Sequence, residues 1–406
     1  MRYPVNLAKN VSATQTAAGS IVSLRSAHKH GVEAVQDIAQ QLAELQRKQQ
    51  FGELGGVLFF CSAEYQLTAL AEGFQQCFGD TPVAGCTTAG ELTTLGYENG
   101  TLCAVLFAGN AFQLQVSGIT QLHEFDLARG QQLVDALLRR SRDDPQRVSD
   151  DNVFAITLLD GLSSQEETVL VALQSALGKI PHFGGSAGDD NQLQTTHVYF
   201  DGAFHSNAAV IVLVRTALAF EVFSTQHVSA LTEKLVVTEA DADTRTVFEL
   251  NAEPAAQAYA DAVGVAMAQL NATVFAMHPL AVKVGHEYYI RSIQRVNDDA
   301  SLTFYCAVGN GAVLTRMQPE PMLPALEARL SEIERRIGEP VLTIACDCVL
   351  RRLENEARGH LADASAFLRR HHVSGFTTYG EHLHGVHVNQ TFTGVVLAKP
   401  VEGQRH

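Results

Sequence analysis

The sequence predicts an α/β protein of two domains, with α+β elements in its second half, built by reusing a strand, helix, glycine turn and strand unit, so that its sheets are mixed. Three observations lead there. First, the turn Gly85-Cys86-Thr87-Thr88-Ala89-Gly90-Glu91 returns as Gly375-Phe376-Thr377-Thr378-Tyr379-Gly380-Glu381, with five of seven residues the same. Second, a looser copy, Gly184-Gly185-Ser186-Ala187-Gly188-Asp189, is one residue shorter and has Ser for Thr and Asp for Glu. Third, the surroundings repeat. An apolar run (Val57 to Cys61; Val153 to Leu159; Val341 to Cys346) leads through a helix-like segment to the turn, and a second run succeeds it (Thr101 to Phe107; Ala208 to Val214; Thr391 to Leu397). Apolar runs of this length without alternation are expected of strands covered on both faces. The spacing is too irregular for a solenoid.

Composition bounds the function. With 406 residues, 46% of them hydrophobic and 18% charged, the chain can bury a large core. A net charge of −15 and the lack of a basic stripe exclude a nucleic-acid backbone as partner. That leaves a small molecule, a gas, a cofactor or another protein, with a homo-oligomer possible. Seven cysteines without regular spacing, mostly inside apolar runs, are expected as reduced thiols of a cytoplasmic protein. The N-terminus has no apolar signal region and no 18-residue apolar stretch occurs, so neither export nor membrane insertion is expected.

In chain order, residues 1–30 form a polar N-terminal segment in which Ile21 to Leu24 reads as an edge strand. A first domain is expected over 31–218 and a second over 219–406. Val32, Val35, Ile38, Leu42 and Leu45 recur at helical spacing over Gly31 to Gln50. After the first apolar strand a helix is expected from about Glu64 to Phe78, ended by Asp80-Thr81-Pro82. Gly109-Asn110 reads as a hairpin turn between Thr101 to Phe107 and Ala111 to Ser117. A helix over Asp126 to Arg140 precedes a charged loop, Arg140 to Asp151. In the second unit Ser163 or Ser164 is the expected cap of a helix through Leu177. Beyond Thr216 to Phe220 the strands lengthen and alternate: Phe220 to Val228, Leu235 to Thr238, Tyr288 to Arg295, Ser301 to Val308. Helices are expected at Ala255 to Val263, Pro324 to Ile337, Val349 to Glu356 and Leu361 to His371.

The densest polar stretch runs from the third glycine turn through His382, His384, His387, Asn389 and Gln390 to the last apolar run. Together with Phe183-Gly184-Gly185-Ser186-Ala187-Gly188-Asp189, His278-Pro279-Leu280 and the first turn, it resembles the FIST family: residues of about 30 to 215 resemble a FIST N domain and about 220 to 400 a FIST C domain. The resemblance implies a sensory ligand-binding module of bacterial or archaeal signalling, with ligands such as amino acids. Since no output domain accompanies it here, the signal is expected to pass to a separate protein. Cys346-Asp347-Cys348-Val349-Leu350-Arg351-Arg352-Leu353-Glu354 and His387-Val388-Asn389-Gln390-Thr391-Phe392-Thr393-Gly394 further resemble the stand-alone haem-binding, nitric-oxide-sensing FIST proteins. That implies a gas sensor acting on a partner histidine kinase and, through it, on cyclic-di-GMP signalling and biofilm behaviour.

The residues offer several chemistries. Haem iron needs an imidazole or thiolate in an apolar pocket, and His382, His384 and His387 are candidates, His387 foremost. Against this stands the reading that His387, Asn389 and Gln390 bond the turn's own backbone. Cys346 and Cys348 with His382 and His384 have the residue types of a zinc site, though spaced too closely for the usual pairing. The alternative is that the cysteines are packing residues, one thiolate activated at a helix N-terminus. Arg351 and Arg352 are candidates to pair a propionate or other anion, or simply to bridge Glu354 or Glu356. Thr87, Thr88, Glu91, Ser186, Asp189, Thr377, Thr378, Tyr379 and Glu381 line the turns as candidate ligand contacts. An enzyme could use these hydroxyls and carboxylates, or a Cys and His pair. No nucleophile elbow, phosphate loop, dinucleotide fingerprint or zincin helix supports one, so a non-enzyme is expected.

Overall fold

The structure is a computed structural model that describes residues 19–143 and 152–399. Residues 1–18 and most of the charged loop expected over 140–151 lie outside the described residues. The preceding helix, Leu127–Asp143, runs past Arg140. The fold is mixed α/β, and the repeat is its organising principle.

Each unit supplies a parallel strand pair with a helix between, or in the third unit two, Val349–Ala357 and Leu361–Arg370. Leu54–Ser62 pairs Val83–Thr88, Val153–Leu159 pairs His182–Ser186, and Pro340–Cys348 pairs Val373–Thr378. The next strand of each unit, Leu102–Ala108, Ala208–Thr216 or Phe392–Ala398, returns antiparallel beside the first. The short hairpin inside each unit does not stay with its own sheet. Glu91–Thr93 joins the third unit's Val373–Thr378, Val198–Phe200 joins the first unit's Val83–Thr88, and Glu381–Leu383 joins the second unit's His182–Ser186. Edge strands are passed on in the opposite sense: Phe112–Thr120, which follows the first unit, flanks the second sheet, and Ala219–Thr225, which follows the second, flanks the third, while Ile21–Ser26 flanks the first. Three six-stranded sheets thus exchange strands in a closed cycle.

Alternation explains why the central strands read as unbroken apolar runs. Leu58 and Phe60 face a core shared by all three sheets, with Phe154, Phe183, Ile344 and Phe376. Val57, Phe59 and Cys61 face the outer layer under the helices Gly31–Arg47 and Leu67–Phe78. Helices over Leu127–Asp143 and Glu166–Leu177 cover the second sheet, and Met322–Ile337 and Leu361–Arg370 cover the third. At the shared core Phe60 and Phe376 stack with ring centres 4.7 Å apart. The segment 228–319 is inserted between the second and third units and forms an antiparallel sheet with its own core around Tyr259, Phe275 and Phe304. Among the described residues no helix is long and apolar enough to cross a membrane, and all seven cysteines are unpaired.

Several expected elements differ in their bounds. The N-cap position of the second unit's helix is held by Gln165, without a side-chain cap bond, rather than by Ser163 or Ser164, and Ser164 takes a left-handed φ of 57° in the preceding turn. Tyr288 to Arg295 breaks into Glu287–Ile290 and Ile293–Val296, since the Arg291 amide bonds Leu280 O and the Ser292 amide bonds Asn389 Oδ1. Ser301 to Val308 is a strand only over Leu302–Phe304, after which the chain turns away.

The repeated threonine and glutamate of the turns have the same work in units one and three. Thr88 Oγ1 donates to Glu91 Oε1 at 2.5 Å, while Glu91 Oε2 accepts from the Thr101 amide at 3.1 Å and hydroxyl at 2.7 Å. Thr378, Glu381 and Thr391 repeat this with distances of 2.6, 3.0 and 2.9 Å. In the second unit Asp160 takes over, accepting from the Asn207 amide at 2.5 Å. Glu91 and Glu381 tie their turns to the start of the returning strand, whereas Asp160 ties the end of Val153–Leu159 to it.

Burial, outweighing the hydroxyl and amide donors, raises both Glu91 and Glu381 to about 7. A carboxyl whose folded-state value lies above its unfolded one stabilises fully below the unfolded value, and that contribution is lost as pH rises through the folded value. Stability is therefore expected to fall between about pH 4.5 and pH 7, by an amount on the order of 3 kcal/mol per group. Urea denaturation from pH 4.5 to 8 should show this decline, flattened in the double variant Glu91→Gln, Glu381→Gln. Superposable profiles for the two proteins would refute it.

Candidate functional site

The three glycine turns meet at the C-terminal ends of the parallel strand pairs, where open α/β sheets place ligands. They are bonded to one another in a ring. Ala89 N donates to Thr377 O at 3.0 Å and Thr377 N to Gly90 O at 2.7 Å; Gly188 N donates to Thr87 O at 3.0 Å and Asp190 N to Thr88 O at 3.1 Å; Tyr379 N donates to Ser186 O at 3.2 Å and Ser186 N to Gly380 O at 2.8 Å. The candidates Thr87, Thr88, Ser186, Asp189, Thr377, Thr378 and Tyr379 are thus brought together, and nearly all are buried and engaged. Thr87 Oγ1 accepts from the His197 amide at 3.1 Å. The Asp189 carboxylate accepts from the amides of Leu193, Gln194 and Thr195 at 2.8, 2.6 and 3.0 Å and from the Tyr379 hydroxyl. Thr377 Oγ1 is buried without a partner. Tyr305 packs 5.8 Å from Tyr379 and closes the ring from the inserted segment.

Counted without a gap from the close-packed glycines, Asp190 rather than Asp189 occupies the place of Glu91 and Glu381. The strand registers set the count, since Gly85, Gly184 and Gly375 lie opposite Phe59, Thr157 and Ala345. Asp190 makes no such turn contact. Ser62 Oγ donates to its Oδ2 at 3.0 Å, its Oδ1 is buried without a partner, and burial raises its pKa against the Ser62 bond. It is a half-buried carboxylate to which, among the described residues, no cation is bonded, although the Ala63 amide and the Arg352 charge act on it.

The histidines separate. His382 and His387 are cross-strand partners in one hairpin, with rings 5.7 Å apart, and both are buried. His382 Nε2 lies 3.1 Å from Ser186 Oγ, and burial, with His387 and His182 nearby, pulls its pKa far down. His384 is exposed at the hairpin tip with φ of 46°. Asn389 and Gln390 do not bond the turn's own backbone, apart from Asn389 Nδ2 to Val388 O at 3.2 Å. They reach into the inserted segment: Asn389 Oδ1 accepts from Ser292 N at 3.1 Å, and Gln390 Nε2 donates to Ala276 O at 3.3 Å.

His387 Nδ1 lies 3.3 Å from Glu167 Oε1, on the side where Cys306 also sits. Burial lowers its pKa, but Cys306 and Glu167 outweigh this and lift it to about 10. Its Nε2 is buried, has no partner, and faces Gly380 so closely that a Cβ there would stand 1.9 Å away. Both ring nitrogens are therefore enclosed. A haem iron needs a broad open slot on one of them, and these surroundings do not fit it.

The other candidates are structural. Cys346 and Cys348 do not gather with His382 and His384: among the described residues the His, Cys, Asp and Glu donors that converge are Glu167, Cys306 and His387. Burial, reinforced by Glu381, pushes both thiols up, the reverse of an activated thiolate. Arg351 is fully buried and bonded to Asp347 at 2.6 Å and His227 at 2.8 Å, so it is not available to an anion. Arg352 lies against Asn99 Oδ1 at 2.8 Å and Glu356 at 3.1 Å. Sequence reasoning missed Asp190, Glu167, Arg245 and Cys306. Only Asp190 had a visible signal, the gapless count of its turn; the others converge through long-range packing.

The FIST N domain model matches residues 56–253 and the FIST C domain model residues 255–384. No curated protein matches the chain.

Proposed function

The chain belongs to the FIST family, whose domains are sensory modules of signal transduction, and from this we propose a ligand-binding sensor, not an enzyme, that takes a small amine-bearing metabolite such as an amino acid over the ring of turns. The observation carrying the ligand class is Asp190. A half-buried carboxylate with one oxygen unpaired and, among the described residues, no cation bonded to it favours an ammonium group, which would form a charge-assisted hydrogen bond there. Passage of the signal to a separate protein such as a histidine kinase completes the reading.

Titration calorimetry against a panel of amino acids and amines tests it. Asp190→Asn should weaken the best ligand about 10-fold or more, the worth of a hydrogen bond to a charged group. Unchanged affinity in the variant would remove Asp190 from the site. The finer reading implied by the family resemblance, a haem-based nitric oxide sensor, has its own signature: a Soret band that shifts with nitric oxide and vanishes in His387→Ala. That result would displace the metabolite reading, and it would require the His387 ring to leave its place against Gly380.

A further inference from the structure

We propose that Glu167, Cys306 and His387 form a binding site for a borderline divalent metal ion of the zinc class, joining the inserted segment to the second and third units. The inference is independent of the ligand reading above. The three residues come from distant elements: Glu167 from the first turn of Glu166–Leu177, Cys306 from the chain after Leu302–Phe304, and His387 from Val386–Val388. One carboxylate oxygen, the thiol sulfur and one imidazole nitrogen lie within 4.8 Å of one another. Tetrahedral zinc, with ligands at about 2.0 to 2.3 Å, holds its donors about 3.5 Å apart. The 3.3 Å between His387 Nδ1 and Glu167 Oε1 already meets this, and Cys306 need close by only a fraction of its separation.

The donors are also aimed. Arg245 takes Glu167 Oε2 at 2.5 Å and Glu166 Oε2 at 2.6 Å, which leaves Oε1 of Glu167 turned to the cluster and steadied by the Ala307 amide at 3.0 Å. Without metal the Cys306 thiol donates to Asn389 Oδ1 at 3.1 Å, and metal binding replaces that bond as the thiol loses its proton. The ligand nitrogen of His387 is Nδ1, which faces Glu167 Oε1, while Nε2 is buried against Gly380 and stays outside the site. A mixed sulfur, nitrogen and oxygen set suits zinc or cobalt and not a hard ion such as magnesium. Cys306 and His387 are buried while the Glu167 side chain is 36% exposed, so the ion enters past Glu167, and the fourth position, open on that side, holds water. On binding, the Cys306 thiol and the His387 Nδ1–H each release a proton to solvent.

Chelator-stripped full-length protein titrated with cobalt(II) provides the test. The expected result is a single cobalt per chain with a thiolate-to-cobalt charge-transfer band and the visible absorption of a tetrahedral site, displaced by zinc. The band should vanish in Cys306→Ser and persist in Cys348→Ser, with circular dichroism confirming the fold of each. Should Cys306→Ser fail to fold, Glu167→Gln, at a partly exposed position, is expected to keep the band and lower cobalt affinity at least 10-fold. No thiolate band in the wild type, or a band that survives Cys306→Ser, would overturn the site and leave a plain His387–Glu167 clamp.

Discussion

Gly375→Ala is expected to cost about 3 kcal/mol or more of stability. The register places Gly375 opposite Ala345 in a parallel pair at the centre of the third sheet. A Cβ at Gly375 would stand 1.8 Å from Ala345 O and 2.8 Å from Ala345 C, so the backbone itself must move. Moving it separates two strands whose neighbours on either side are also hydrogen-bonded, Phe392–Ala398 and Glu91–Thr93. The same close approach occurs at Gly184, with Thr157 O at 1.9 Å, and at Gly85, with Phe59 O at 2.5 Å. The expected order of damage is therefore Gly375 and Gly184 first, then Gly85. Gly309→Ala is the control, since nothing stands within 4 Å of its added Cβ and its φ is ordinary. Urea unfolding of the four variants reads the series. Were Gly375→Ala no worse than Gly309→Ala, close approach would not be the reason for the repeated glycine.

That glycine was legible in the sequence because the reason for it is local. A residue that must sit under a neighbouring strand recurs wherever the unit recurs, as do the apolar runs of Val57 to Cys61, Val153 to Leu159 and Val341 to Cys346, each buried on both faces. The Thr88 and Glu91 pair was also visible, but its role was not. It reads as a possible ligand contact until Thr101, ten residues on, is seen to complete it. The exchange of hairpins could not be read at all. Glu91–Thr93 has the same pattern whether it pairs its own sheet or the third, and only packing of the three sheets on one core decides. Cys306 shows the same limit from the other side. The run around it reads as a strand, yet the Tyr305 amide bonds Ser292 O and the chain then turns to set the thiol beside Asn389.

Arg351→Met should cost about 3 to 5 kcal/mol, because it strands a buried carboxylate. Asp347 is fully buried, and Arg351 Nε donates to its Oδ1 at 2.6 Å while the Tyr97 hydroxyl donates to its Oδ2. On the other side Arg351 Nη1 lies 2.8 Å from His227 Nδ1. A guanidinium can only donate, so His227 accepts there, is neutral, and carries its proton on Nε2, which donates to Glu354 at 2.7 Å. Burial, reinforced by Arg351 and working against Glu354 and Asp347, lowers the His227 pKa, in keeping with that neutral form. The chain of bonds ties the first unit's hairpin, the third unit's helix and the start of the inserted segment into one unit. Asp347→Asn in the Arg351→Met background removes the stranded charge and is expected to recover a good part of the loss, so the double variant should be more stable than the sum of the two single losses requires. Additive losses in a denaturation cycle, or a cost below about 1 kcal/mol for Arg351→Met, would mean that water or Arg358, 2.9 Å from Glu354, compensates the network and that the three segments are held by apolar packing alone.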